Sequence, residues 1–339
     1  MMIKFHETHI EMAHGAGGKA SRRLVEGLIA PHLMPETLLL EDAASLAFSG
    51  QLVFTSDSFV VKPLRFPGGS IGDLAVNGTV NDLAVSGAEP LALMISLIIE
   101  EGLESVVLEH ELRAMAQAAS KAGVKILGGD TKVVEHGKAD GLYISSAGIG
   151  RYQENLKLSM ERVAPGDKII LSGPIGNHGI TILLARGELD LSANLVSDTR
   201  SVWPFVKVLA ETVPQGLKWM RDPTRGGVAS VLNELARDSA LGIELEEERI
   251  PVHPAVRGAC EILGLDPLHI ANEGQFLAVV SALEADKALA GLQALAGTEE
   301  AQMIGQITEA HSKTVVAKTL YGGARVVDML VGDPLPRIC

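Results

Sequence analysis

The sequence predicts a two-domain protein, α/β in its first half and α+β in its second, ending in a flexible tail. Three observations carry this. Short apolar runs alternate with helix-period segments up to about residue 150. Beyond it, helices and strands follow without that alternation. The 339 residues suffice for two buried cores, and a hydrophobic fraction of 47% excludes disorder. Aromatics are only 4%, so packing rests on Ala, Val, Leu, Ile and Gly.

In chain order, 51–55 and 91–99 read as buried strands, 109–122 as a helix, and 124–127 and 142–149 as further strands. The pattern turns polar over 151–162, and a new unit starts with the strand 168–171. The domains are therefore placed at 1–155 and 156–329, with 330–339 a mobile tail carrying Cys339. In the second domain 179–186, 228–239 and 284–296 read as helices, and 276–281 and 314–318 as strands. Cys260 reads as a small core residue of a helix.

Charge and cysteine usage narrow the class. A net charge of −13 argues against a nucleic-acid partner. The longest apolar run, 91–99, is too short to span a bilayer. Two cysteines, Cys260 and Cys339, give no disulfide framework, so a reducing, cytoplasmic setting is expected.

The densest chemical signal is residues 66–84. Ser70 and Asp73 suggest a capping box opening a helix. Asp73, Asn77 and Asn81 follow at i, i+4 and i+8, with Asp82 beside them. Such residues are poor interior helix formers, so the face points to a ligand, the alternative being an ordinary polar face. Asp57 and Asp130 are expected to close strands, where ligands gather in α/β domains, and Asp42 is a candidate third member. Carboxylates without a Cys/His cluster favour Mg²⁺ carrying a nucleotide's phosphates. Glycine runs at Gly17-Gly18 and Gly128-Gly129 offer bare backbone amides to phosphate, and together these point to Mg²⁺–ATP. Arg221 to Gly227 forms a second glycine-ended loop before a helix. Glu273 is expected near the domain interface, and His178 reads as structural or substrate-adjacent. At the end, Pro334 and Pro336 stiffen a tail that reaches roughly 33 Å when stretched.

Asp57, the Asn77–Asn81–Asp82 helix, Gly128-Gly129-Asp130 and the run from Asp222 through Pro223, Thr224 and Arg225 to Gly227 resemble one superfamily. It contains aminoimidazole ribonucleotide synthetase, selenophosphate synthetase and thiamine-phosphate kinase. The amino-terminal glycine-rich segment and the ending Pro336-Arg337-Ile338-Cys339 resemble its HypE family of hydrogenase maturation proteins. That segment lacks the cysteine expected of a selenophosphate synthetase. The resemblance implies the two-domain aminoimidazole ribonucleotide synthetase-like fold and a homodimer whose paired amino-terminal sheets build the nucleotide site, with Asn77 and Thr79 serving ATP. It implies that a HypF carbamoyltransferase loads Cys339 and that ATP drives dehydration of the thiocarboxamide to a thiocyanate. A HypC–HypD complex then receives the cyano group for the iron of a nickel–iron hydrogenase. Asp57, Asp82 and Asp130 would hold Mg²⁺, Lys132 would stabilise the phosphoryl group, and Glu273 or Lys132 would act as base. The alternatives are a synthetase phosphorylating a free small molecule and a non-catalytic thiol carrier.

Overall fold

The computed structural model describes residues 4–35, 43–187, 193–319, 321–332, 335 and 337–339. After a short turn, a helix runs in three pieces: α1 (Gly18–Leu24), a π-helical turn (Val25–Ile29) and α2 (Ala30–Leu33). β1 (Leu52–Phe59), the two-residue strands β2 (Arg65–Phe66) and β3 (Gly69–Ser70), and α3 (Ile71–Val85) come next. β4 (Ala88–Glu100), α4 (Ser105–Ala122), β5 (Lys125–Val134) and β6 (Leu142–Tyr152) complete this half. Its main sheet has the order β1-β6-β4-β5, with β4 and β5 parallel and the other pairs antiparallel.

The two long helices of this half are built differently. α4 is amphipathic: Leu108, Leu112, Met115 and Ala119 form its buried stripe, and Gly123 ends it in the left-handed region. α3 is buried almost all round, its Asn77, Thr79 and Asn81 included. Ser70 does stand at its N-cap, but its hydroxyl donates to Asp73 Oδ2 at 3.2 Å. The buried first-turn amide of Gly72 is satisfied instead by Glu111 Oε2 of α4, at 3.1 Å.

The second half contains β7 (Lys168–Leu171), α5 (Asn177–Ala185), α6 (Trp203–Thr212), β8 (Leu217–Arg221), α7 (Gly227–Ser239), β9 (Gly242–Glu246) and α8 (Pro254–Leu263). β10 (Leu277–Val280), α9 (Ala285–Gln293), β11 (Gln302–Thr308), β12 (Val315–Lys318) and β13 (Ala324–Val327) follow. The sheet order is β13-β12-β9-β11-β7-β10-β8, antiparallel except for β9 and β12. Both of its faces are covered. Ile169, Leu171 and Val279 pack with α7, while Ile170, Ala278 and Val280 pack with α6 and α9. That is why β10 is apolar at every position and not at alternate ones.

The first domain's core does not stop at the first sheet. It takes in Ile180 and Ile182 of α5, Cys260 of α8, Ile270, and Leu335 and Ile338 of the tail. The tail expected to be mobile is thus seen docked at its described end, with Leu335 and Ile338 only 4% and 2% exposed. Burying each contributes about 1.5–3 kcal/mol, the same order as the about 1–2 kcal/mol per residue lost in fixing the backbone. No helix among the described residues is long and apolar enough to cross a membrane.

Candidate active site

Four carboxylates meet where the first sheet faces the second domain: Asp57 of β1, Asp82 of α3, Asp222 after β8, and Glu273 before β10. Thr55 Oγ1 of β1 donates to Asp82 Oδ2 at 2.7 Å. Burial, then repulsion from Asp82, pushes Asp57 up to about 6, with Arg225 opposing. Burial and the charges of Asp82 and Asp57 push Asp222 up to about 7. Glu273 is raised well above the usual carboxylate range by burial and by Asp222, Asp198 and Asp57. A hydrogen bond from Cys339 opposes this rise. The terminal thiol therefore sits against the innermost carboxylate of the group. Glu273 Oε1 and Asp198 Oδ2 are buried with no hydrogen-bond partner, which leaves unmet acceptor capacity at this point.

The helix face that suggested a ligand serves another purpose as well. Asn81 Nδ2 donates to Arg200 O at 3.0 Å and to Glu273 O at 3.1 Å, and its Oδ1 accepts from the Val202 amide at 2.8 Å. Asn77 Nδ2 reaches Thr199 Oγ1 at 3.4 Å. These side chains satisfy irregular backbone of the second domain where an apolar residue would leave it unpaired. Thr79 is completely buried and bonded to Ser146, so within one chain it joins helix to sheet. Asn77 is turned to the domain interface.

Asp130 and Lys132 lie elsewhere. Both are inside β5, not beyond its end, because the strand runs on to Val134. Asp57 shares one row across the sheet with Ser146, Ile95 and Gly129. Asp130, one residue further, belongs to the opposite face, and β5 is three strand spacings from β1, on the order of 14 Å. One chain therefore does not bring Asp130 to Asp57 and Asp82. Asp130 instead pairs with Lys132 at 3.5 Å, both well exposed. With Gly17, Ser21, Gly128 and Gly129 they line a cavity of about 440 Å³. Gly18 begins α1 beside it. Gly129 is obligatory for packing, since a Cβ there would meet Ile95 O at 1.6 Å. Asp42 lies outside the described residues. Among these, no three His, Cys, Asp or Glu side chains form a metal cage.

Sequence reasoning did not assign Asp222 or Asp198 to the site. The first carried a signal in its Asp-Pro-Thr-Arg-Gly-Gly context, while the second lies in irregular chain and carried none.

The family model of the AIR synthase related protein, N-terminal domain, matches residues 40–152, and that of its C-terminal domain matches 164–318. The chain is 45% identical to carbamoyl dehydratase HypE of Rhizobium leguminosarum bv. viciae, covering 100% of this chain and 99% of the relative. A crystal structure of hydrogenase maturation protein HypE in complex with ATP superposes with a TM-score of 0.91 at 41% identity, over 97% of this chain and 99% of that one. A HypE–HypF complex gives 0.80 at 44% identity, over 85% and 93%. With both domains matched and identity sustained over the full length, the chain belongs to the AIR synthase related protein family and, within it, to the HypE carbamoyl dehydratases.

Proposed function

We propose that the chain is an ATP-dependent dehydratase that turns a carbamoyl group on its own Cys339 into a thiocyanate, the cyanide source for a nickel–iron hydrogenase. The observation that carries this reading is Cys339 bonded to the buried Glu273 beside Asp222 and Asp57. The relatives' activity, their ATP complex and their complex with HypF support the reaction class, the nucleotide and HypF as carbamoyl donor. A HypC–HypD complex is the proposed acceptor, and the cytoplasm the proposed setting.

The chemistry needs two proton removals. In the first step the amide oxygen attacks the γ-phosphorus, the bond to the ADP oxygen breaks, and one N–H proton leaves as C=N forms. In the second the C–O bond breaks, phosphate departs, and the remaining N–H proton leaves as C≡N forms. The sum is S-carboxamide plus ATP giving S-cyanide, ADP and phosphate. Glu273 is the proposed base because it lies at the thiol that carries the group. Burial and its acidic neighbours favour its protonated form. Neutralising those neighbours shifts it towards the carboxylate, which can take a proton.

The oxygen-only donor set, with buried carboxylates held at unfavourable charge, fits Mg²⁺, which takes one or two carboxylates plus phosphate oxygens. Asp57 and Asp82, whose carboxyls lie within hydrogen-bonding reach of each other, would hold it, and it would supply neutralisation of the triphosphate charge. Asp130 and Lys132 join this group only from a second copy of the chain. β1 and β5 are both sheet edges, and the uncovered face carries Phe54, Met94 and Ile98, which are 65%, 37% and 37% exposed. We infer a homodimer through this sheet, in which the glycine-lined cavity of one copy completes the acidic group of the other.

The test is mass spectrometry of the tail after incubation with HypF, carbamoyl phosphate and ATP. Wild type is expected to gain a nitrile on Cys339, while Cys339→Ala keeps fold and ATP binding and forms none. A modified Cys260 beside an unmodified tail would sink the reading. Deleting residues 338 and 339 separates it from a free-substrate synthetase, which would be little affected.

A further inference from the structure

The tail is held at two backbone carbonyls, and both are read from one helix. His178 Nε2 is 2.7 Å from Ile338 O, and Arg186 Nη2 donates to Arg337 O at 3.0 Å. His178 and Arg186 lie at i and i+8 on α5 and its C-cap, on one face, with Ile182 between them. Ile182 belongs to the same apolar core as Leu335 and Ile338. At Gly179, one step round the helix, a Cβ would lie 3.2 Å from Leu335 Cδ1. Arg337 itself is ion-paired to Asp140 of the first domain.

His178 is fixed from every side. It is fully buried, its ring lies edge-on to Phe66 with centroids 5.6 Å apart, and its Nδ1 is 2.8 Å from Ser197 Oγ. A carbonyl only accepts, so Nε2 carries the proton and the neutral ring's Nδ1 accepts from the Ser197 hydroxyl. The next residue, Asp198, accepts the Glu273 amide on Oδ1 at 3.1 Å. Two adjacent loop residues thus anchor two chains of bonds: Ser197 through His178 to Ile338, and Asp198 through Glu273 to Cys339.

We propose that His178, assisted by Arg186, is a positioning residue that docks the tail through its peptide carbonyls and so sets where the Cys339 sulfur lies relative to Glu273. A backbone grip is indifferent to what the sulfur carries, so the thiol, carbamoyl and cyano forms of the tail dock alike. This rests on the proposed reaction at Cys339, but the docking can be read without it.

The experiment follows iodoacetamide modification of Cys339 by peptide mass spectrometry in protein without ATP. Loss of one hydrogen bond from the grip in His178→Leu is expected to raise the rate about tenfold. His178→Gln, whose amide nitrogen can reach the Nε2 position, is expected to return it close to wild type. Arg186→Ala gives a smaller rise. In single turnover from carbamoylated protein, His178→Leu slows nitrile formation with the KM for ATP unchanged, and HypF still loads the tail. His178→Leu labelled no faster than wild type, or His178→Gln labelled as fast as His178→Leu, overturns the proposal. If His178→Leu does not fold, Arg186→Ala decides, and a rate equal to wild type overturns it. The expected labelling pattern in a wild type that makes no nitrile would remove the proposed reaction and leave the docking role standing.

Discussion

The acidic group at β1 and α3 and the glycine-lined cavity at β5 are opposite in almost every physical respect. The first is buried, its carboxylates repel one another, and its pKa values rise. In the second, Asp130 and Lys132 are exposed and neutralise each other, and flexible glycines replace side chains. A buried excess of negative charge is costly unless something positive completes it. An exposed glycine cradle asks instead for an anion to approach its backbone. Their opposite character, held apart within a single chain, is the physical basis of the proposed composite site between two copies.

The strongest test of that comparison uses mixed dimers. Asp57→Asn and Asp130→Asn are each expected to lower nitrile formation at least a hundredfold when alone. Mixed after dissociation, they should recover about a quarter of wild-type activity, because half the dimers are hybrids with one of two sites intact. No recovery in confirmed hybrids would place both residues in the same site of one copy and break the comparison.

A smaller effect separates the regions by pH. The folded-state pKa of Asp222, about 7, lies above its ordinary 3.8, so the fold binds more protons than the unfolded chain between those values. Its contribution to stability is present at low pH and is lost as pH rises towards 7. Asp222→Asn is therefore expected to raise the melting temperature of magnesium-free protein by several degrees at pH 8 and hardly at all at pH 4. It should also diminish any stabilisation by Mg²⁺. Equal shifts at both pH values would show that Asp222 is not held against its charge.

The mildest effect concerns Gly17. Its φ of 83° and ψ of −175° lie in a region that side chains avoid, yet a Cβ there would touch nothing within 4 Å. Gly17→Ala should cost about 1–3 kcal/mol from strain alone. The melting temperature measures this, and a neutral result would mean the turn relaxes freely.

Much of the fold was legible. The strand 168–171 and the helices near 109–122 and 228–239 were read within a few residues, because apolar periodicity is a local property. The strands at 217–221 and 242–246 were not read, since Lys218, Arg221, Glu244 and Glu246 interrupt their apolar pattern. Lys218 is where it is because its Nζ bonds Asp167 at 2.8 Å, a contact 51 residues away.

By itself the sequence determined the two domains, the glycine runs, the acidic motif and the terminal cysteine, all features carried by neighbouring residues. Only the tertiary structure decided that Asp130 lies across the sheet from Asp57, since strand order is not written in any one strand. It also turned Asn81 to Glu273, 192 residues away, and His178 to Ile338, 160 residues away. Such pairings are set by how buried polar groups are satisfied across the whole packed chain, and no local pattern encodes them.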